Sequence, residues 1–179
     1  MSSQILNEET IYKGKVFSLV KARFRLLNGS EHTYDLVKHH GAVTILPVDQ
    51  EGRIWFVRQY RVGADQDLLE LPAGVLEPDE SPESTALREL QEEIGMSARR
   101  LQKLGEFYMV PGYSTEKMIA YLATELYESA LPADEGEYLE KSAVPVAEAY
   151  RMVGDGLMQD GKTLASLLLA RAHLQKFGV

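Results

Sequence analysis

The chain contains no cysteine. Disulfides and thiolate metal sites are therefore excluded, and the redox compartment stays open. It has no long hydrophobic run: nothing approaches the ~20 apolar residues that a membrane-spanning helix needs. The first residues, MSSQILNEET, lack the basic-then-apolar pattern of a secretory signal. A basic excess is also missing, since 19 Lys and Arg stand against 27 Asp and Glu, a net charge of −8. That sign argues against nucleic acid held on a cationic surface. There is no internal repeat and no low-complexity tract. The absences leave a soluble cytoplasmic protein with neither a nucleic-acid nor a membrane partner as the expectation. What is present suits it: 179 residues, 45% of them hydrophobic, are enough for one core domain plus a small appendage.

The most informative stretch is Gly74 to Met96, GVLEPDESPESTALRELQEEIGM. Ser81-Pro82 opens a helix, because Ser is a good N-cap and Pro fits the first helical position. Leu87, Leu90 and Ile94 form one apolar stripe, and Gly95 is a natural stop. Around that stripe stand Arg88, Glu89, Glu92 and Glu93. Glu89 lies three residues from Glu92 and four from Glu93, a spacing at which like charges cost roughly 0.2–0.5 kcal/mol per pair. The helix C-terminus disfavours anions further. Arg88 offsets Glu92, but one guanidinium does not neutralise three carboxylates. A hard divalent cation would, and Mg²⁺ characteristically combines carboxylates with substrate phosphates. An acidic chain fits such a site, where cations mask carboxylates near an anionic substrate.

These residues resemble the Nudix box: Gly, five residues, Glu, seven residues, then Arg-Glu-aliphatic-any-Glu-Glu-any-Gly-aliphatic. Gly74, Glu80, Arg88, Glu89, Leu90, Glu92, Glu93, Gly95 and Met96 fill every position. At average residue usage the seven fixed identities would coincide by chance on the order of 10⁻⁹ per starting point.

The rest of the chain reads as follows. Residues 1–13 form a tail leading into a strand over Lys15–Leu27; Asn28-Gly29 is a hairpin turn and Tyr34–Val37 the return strand. A small antiparallel sheet of this kind needs something to pack on, either a partner subunit or the chain's own core. Ala42–Val48 is a buried strand, Asp49–Gly52 a turn, and Arg53–Tyr60 the next strand, ending beside Arg58 and Arg61. Either arginine is a surface residue at a strand end or a fork suited to diphosphate oxygens. Leu68–Leu71 leads into a turn at Pro72-Ala73-Gly74. Leu101–Val110 is a strand, Pro111–Ser114 a loop, and Lys117–Leu126 fits strand better than helix. Residues 128–137 are an acidic loop, and Val144–Met152 and Thr163–Lys176 are helices. The second helix presents Leu164, Leu167, Leu168, Ala172 and Leu174 as its apolar face. His39 and His40 read as structural, since no nucleophile pairs with them.

Beyond the box the chain is similar to the ADP-ribose pyrophosphatase branch of the Nudix family. Leu71-Pro72-Ala73-Gly74 matches the branch's approach to the box. Pro111, fifteen residues past Met96, stands where the branch has its diagnostic proline, and Asp134-Glu135-Gly136-Glu137 resembles its acidic loop. The resemblance implies an α/β fold, a Nudix-type α/β/α sandwich with mixed sheet over residues 41–179. Residues 1–40 would be an antiparallel sheet that swaps across a homodimer. It implies Mg²⁺-dependent hydrolysis, with Mn²⁺ as a possible substitute, of a nucleoside diphosphate sugar, foremost ADP-ribose to AMP and ribose 5-phosphate. Glu89, Glu92, Glu93, the Ala73 carbonyl and Glu137 would bind metal. Arg88 and Glu80 would hold the ligating carboxylates, and Glu135 would be the general base, with Glu92 or Glu93 in reserve. Arg58 and Arg61 would contact the diphosphate and Phe17 would stack on the base. Two alternatives remain open: a GDP-mannose-type hydrolase, which Asp160-Gly161-Lys162-Thr163 also resembles, and a nucleotide-sensing module without turnover. The retained carboxylates disfavour the latter.

Overall fold

The computed structural model describes residues 4–132 and 138–179. The chain divides into two compact units, Met1–Gly41 with Phe107–Lys117, and Ala42–Glu106 with Met118–Val179.

The first unit carries a three-stranded antiparallel sheet, β1 (Gln4–Lys13), β2 (Phe17–Arg25) and β3 (Glu31–His39), with β2 in the centre. Val20 and Ala22 on β2 are its buried residues. Residues 4–13, expected as a tail, form β1. Nearly all their side chains are exposed, so no apolar alternation betrays the strand, which is held by backbone pairing with β2 and by the Glu8–Lys38 ion pair. The Asn28-Gly29 turn closes the β2–β3 hairpin as the sequence predicts: Gly29 adopts φ +83° and Asn28 Oδ1 accepts from the Ser30 amide at 3.0 Å. Beyond it, the Val37 amide donates to the Tyr113 carbonyl at 2.8 Å, tying residues 107–117 to β3. His39 Nδ1 accepts from the Gly41 amide at 3.0 Å, a structural role at the turn.

The second unit holds two sheets, one ordered β7-β4-β9-β8 and the other β10-β5-β6. Their strands are β4 (Ala42–Pro47), β5 (Arg53–Arg61), β6 (Gln66–Glu70), β7 (Ala73–Val75), β8 (Met96–Tyr108), β9 (Lys117–Glu128) and β10 (Glu140–Pro145). β4 runs parallel to β9 and antiparallel to β7, so the sheet is mixed. Every residue of β4 is buried, which is why its sequence is a continuous apolar run rather than an alternation. Val43 and Ile45 of β4, with Ile119 and Tyr121 of β9, pack on Ala86, Leu90 and Ile94 of helix α1 (Pro82–Glu89) and the π-helical turn that continues it over Leu90–Ile94. Leu46, Ile54, Phe56 and Leu122 pack on α2 (Val146–Gly154) and α3 (Gly161–Leu174). The result is an α/β unit with a helix layer against each sheet face.

Three boundaries and one helix face differ from the sequence reading. Ala73–Val75 is strand rather than turn, because it pairs with Ala42–Thr44. β8 begins at Met96, directly after Gly95, where φ +75° ends the helix. Val144 and Pro145 belong to β10, paired with Ile54 and Arg53, so α2 starts at Val146. In α3 the buried positions are Lys162, Thr163, Ser166, Leu167, Ala170 and Leu174, whereas Leu168 is 72% exposed and Ala172 is also exposed. The buried stripe includes three polar residues, which hid it from hydropathy. Among the described residues no helix is long and apolar enough to cross a membrane.

Candidate active site

Helix α1 starts where its cap dictates: the Ser81 side chain accepts from the Ser84 amide at 3.1 Å, and Pro82 needs no donor. Its apolar side seats Ala86, Leu90 and Ile94 in the core. That leaves the acidic residues facing β7, whose position is fixed by pairing with β4 and by the Ile45 amide donating to the Pro72 carbonyl at 2.8 Å.

The backbone of β7 and the carboxylates meet closely. A Cβ placed on Gly74 would lie 1.8 Å from Glu89 Oε1 and 2.0 Å from Glu89 Cδ. Only a residue without a side chain leaves room for that carboxylate. One residue earlier, the Ala73 amide donates to Glu93 Oε2 at 3.2 Å. Glu89 and Glu93, 9% and 5% exposed, thus both lie along Ala73-Gly74. Glu92 and Glu93 both lie in the π turn, which widens the helix locally and recurs at functional sites.

Arg88 organises the remaining carboxylates. Its Nη1 donates to Glu89 Oε1 at 2.7 Å and to Glu92 Oε2 at 2.8 Å, while Nε and Nη2 reach Glu80 at 3.1 Å. Thr85 Oγ1 donates to Glu80 Oε2 at 2.9 Å, closing the far side. Burial works against the Arg88 charge, but Glu80, Glu89 and Glu92 outweigh it and hold the guanidinium firmly protonated. In return the Arg88 hydrogen bond holds the Glu80 carboxyl below the usual range. Among the described residues no three acidic or histidine side chains are gathered as a ready metal cage. The donor chemistry nevertheless suits a hard divalent ion: carboxylates beside a backbone segment, in a chain without thiolates.

The other site residues named from sequence are spread more widely. Arg61 is not a bare clamp: Nε and Nη2 engage Glu70 at 2.7 Å each. Glu70, 1% exposed, was missed by the sequence reading, although a lone charge inside the apolar run Leu68–Leu71 is a visible signal. Arg58 is exposed on β5 and lines a groove of about 350 Å³ with Asp67, Tyr138, Leu139 and Glu140. Phe17 sits on β2 of the first unit, 44% exposed, with its ring 6.2 Å from that of Tyr12. Glu135 and Glu137 lie outside the described residues. The segment Asp160–Thr163 is occupied by structural tasks: Asp160 caps α3, Lys162 contacts Glu70, and Thr163 Oγ1 accepts from the Leu71 amide at 2.9 Å. A separate cavity of about 470 Å³ among Asp49, Arg100, Leu122, His173 and Phe177 contains none of the box residues.

Residues 38–167 match the NUDIX domain. The chain is 39% identical to an ADP-ribose pyrophosphatase of Bacillus subtilis over 91% of its own length and 89% of the relative's. It is 37% identical to an ADP-ribose pyrophosphatase of Mycobacterium tuberculosis, over 94% and 83% of the two chains. Among solved structures, an ADP compounds hydrolase superposes with TM-score 0.85 at 29% identity, covering 99% of this chain and 97% of the other. With Glu89 and Glu93 of its complete signature lying along β7 and Glu80 and Glu92 held by Arg88, the chain belongs to the Nudix hydrolase family.

Proposed function

We propose that the protein hydrolyses the diphosphate bond of a nucleoside diphosphate sugar with Mg²⁺ or Mn²⁺, ADP-ribose first, giving AMP and ribose 5-phosphate. The observation that carries this reading is the placement of the buried Glu89 and Glu93 against Ala73-Gly74, an oxygen-rich edge beside backbone. The named activity of the two bacterial relatives supports ADP-ribose as substrate. Glu89, Glu92, Glu93 and the Ala73 carbonyl would hold the metal, which when bound lowers the pKa of the attacking water and offsets charge on the diphosphate. Arg88, itself held by Glu80, donates to Glu89 and Glu92 and aims them. Arg58 and Arg61 meet the diphosphate, and Phe17 stacks on the base. Glu135 takes the proton from water, with Glu137 as an added ligand; both assignments rest on the resemblance of the acidic loop. The protein acts in the cytoplasm as a homodimer formed through the N-terminal sheet, without nucleic-acid or membrane partners.

The GDP-mannose alternative stays open: Asp160, Lys162 and Thr163 are engaged within the fold, but a relative named GDP-mannose pyrophosphatase is 36% identical to the chain over 75% of its length. The test is a panel of ADP-ribose, GDP-mannose, UDP-glucose and a diadenosine polyphosphate with Mg²⁺, counting phosphomonoesters released. Preference for ADP-ribose supports the reading; preference for GDP-mannose keeps the chemistry and replaces the substrate. No turnover with folded protein and either ion leaves a nucleotide sensor. Glu93→Gln should abolish turnover in the first two cases.

A further inference from the structure

Four charged residues outside the acidic signature, Asp160, Lys162, Glu70 and Arg61, form a chain that leads from α3 to the strand ends of β6 and β5. Glu70 closes β6 and is 1% exposed. Its Oε1 accepts from Arg61 Nε at 2.7 Å, and its Oε2 accepts from Arg61 Nη2 at 2.7 Å and from Lys162 Nζ. Lys162, 7% exposed, also donates to Asp160 Oδ2 at 3.0 Å. Asp160 is itself fixed, accepting from the Thr163 amide at 3.0 Å and from Thr163 Oγ1 at 2.6 Å. Lys162 is thus anchored at a helix N-terminus and cannot drift.

The open end of the chain is Arg61, whose side chain is 43% exposed. Glu70 takes the Nε and Nη2 edge of the fork. The Glu70 bond, and at longer range Asp160 and Glu93, favour the charged guanidinium. Its partner Glu70 ends β6, three residues before Ala73 opens β7. Lys162 and Arg61 share the Glu70 carboxylate, and Lys162 is itself paired with Asp160. What Lys162 fixes is the orientation of that carboxylate, and through it the plane of the Arg61 fork.

We infer that Lys162 is a positioning residue: acting through Glu70, it holds Arg61 so that Nη1 donates to an anionic oxygen of the substrate. The inference rests on the diphosphate reading above. A buried ion pair that only pins α3 to β6 is the competing explanation. The two part in a double-mutant cycle on ADP-ribose hydrolysis with Mg²⁺. Lys162→Met should raise KM ~10-fold with kcat little changed, the scale of one charged hydrogen bond. Arg61→Ala should do the same, and in that background Lys162→Met should add less than ~2-fold. Additive effects, or an unchanged KM in Lys162→Met, overturn the inference while leaving the hydrolase reading intact. If Lys162→Met does not fold, Lys162→Gln, which keeps a donor and removes the charge, completes the same cycle. Failure of both to fold assigns Lys162 to the fold alone and overturns the inference. A wild-type protein inactive on every substrate in the panel overturns both readings.

Discussion

Gly74 and Glu89 behave as one feature, since the carboxylate occupies the volume that any Cβ on Gly74 would need. Gly74→Ala should therefore displace Glu89 and break its contact with Arg88, lowering kcat/KM ~10–100-fold. The stability cost should stay near ~1–3 kcal/mol of overpacking. Steady-state kinetics with a parallel thermal melt check this, and an unaltered kcat/KM would sink it. Glu80 supplies a second test. Its folded-state pKa lies below the ordinary 4.5 because Arg88 donates to it, so the unfolded chain takes up the proton first as pH falls. The stabilisation is whole above pH 4.5 and is lost as pH drops through the lower, folded value. The gap in melting temperature between the wild type and Glu80→Gln should accordingly be widest near neutrality and shrink below pH 4.5. A gap that widens on acidification would contradict the pairing. Gly74, Glu80 and Arg88 were all legible, because their spacing is a pattern. Lys162 was not, because its partner Glu70 lies 92 residues away across the fold, and Glu70 left only the signal of a lone charge in an apolar run.

At the level of elements, legibility followed how cleanly a segment separates apolar from polar. Helix α1 was readable to its cap, since Ser81-Pro82 and the stripe at Leu90 and Ile94 agree. β1 was not, since backbone pairing at a sheet edge asks nothing of its side chains. The π turn at Leu90–Ile94 was also invisible, because hydropathy cannot distinguish one residue of extra winding. In α3 the counts of leucine misled: the face turns on Thr163, Leu167, Ala170 and Leu174, not on Leu168. The prediction is a contrast between neighbours. Leu167→Ala should cost ~2–5 kcal/mol as a core truncation. Leu168→Lys should fall within ~0.5 kcal/mol of wild type. Urea unfolding of the two variants decides it, and comparable losses would reject the assigned face.

For the molecule as a whole, chelation with EDTA should abolish turnover and added Mg²⁺ or Mn²⁺ restore it, read as product release before and after dialysis. Persistent activity in chelator would remove the metal from the reading. The parallel pairing of β4 with β9 has a consequence in time rather than in space. Ala42 aligns with Met118, so the pairing closes a span of 76 positions, 118 less 42. That span contains β5 to β7, α1 and its π turn, which together carry Arg61, Gly74, Glu89 and Glu93. Closing so long a segment is entropically expensive, and contacts of large sequence separation form slowly. Local helix at Pro82–Glu89 can appear early, but Glu89 and Glu93 reach their places along Ala73-Gly74 only once β7 is seated on β4, whose other edge waits for β9. Recovery of activity on refolding should thus lag the recovery of far-ultraviolet ellipticity and follow the slowest kinetic phase. A newly made chain would gain its chemistry as its last folding event.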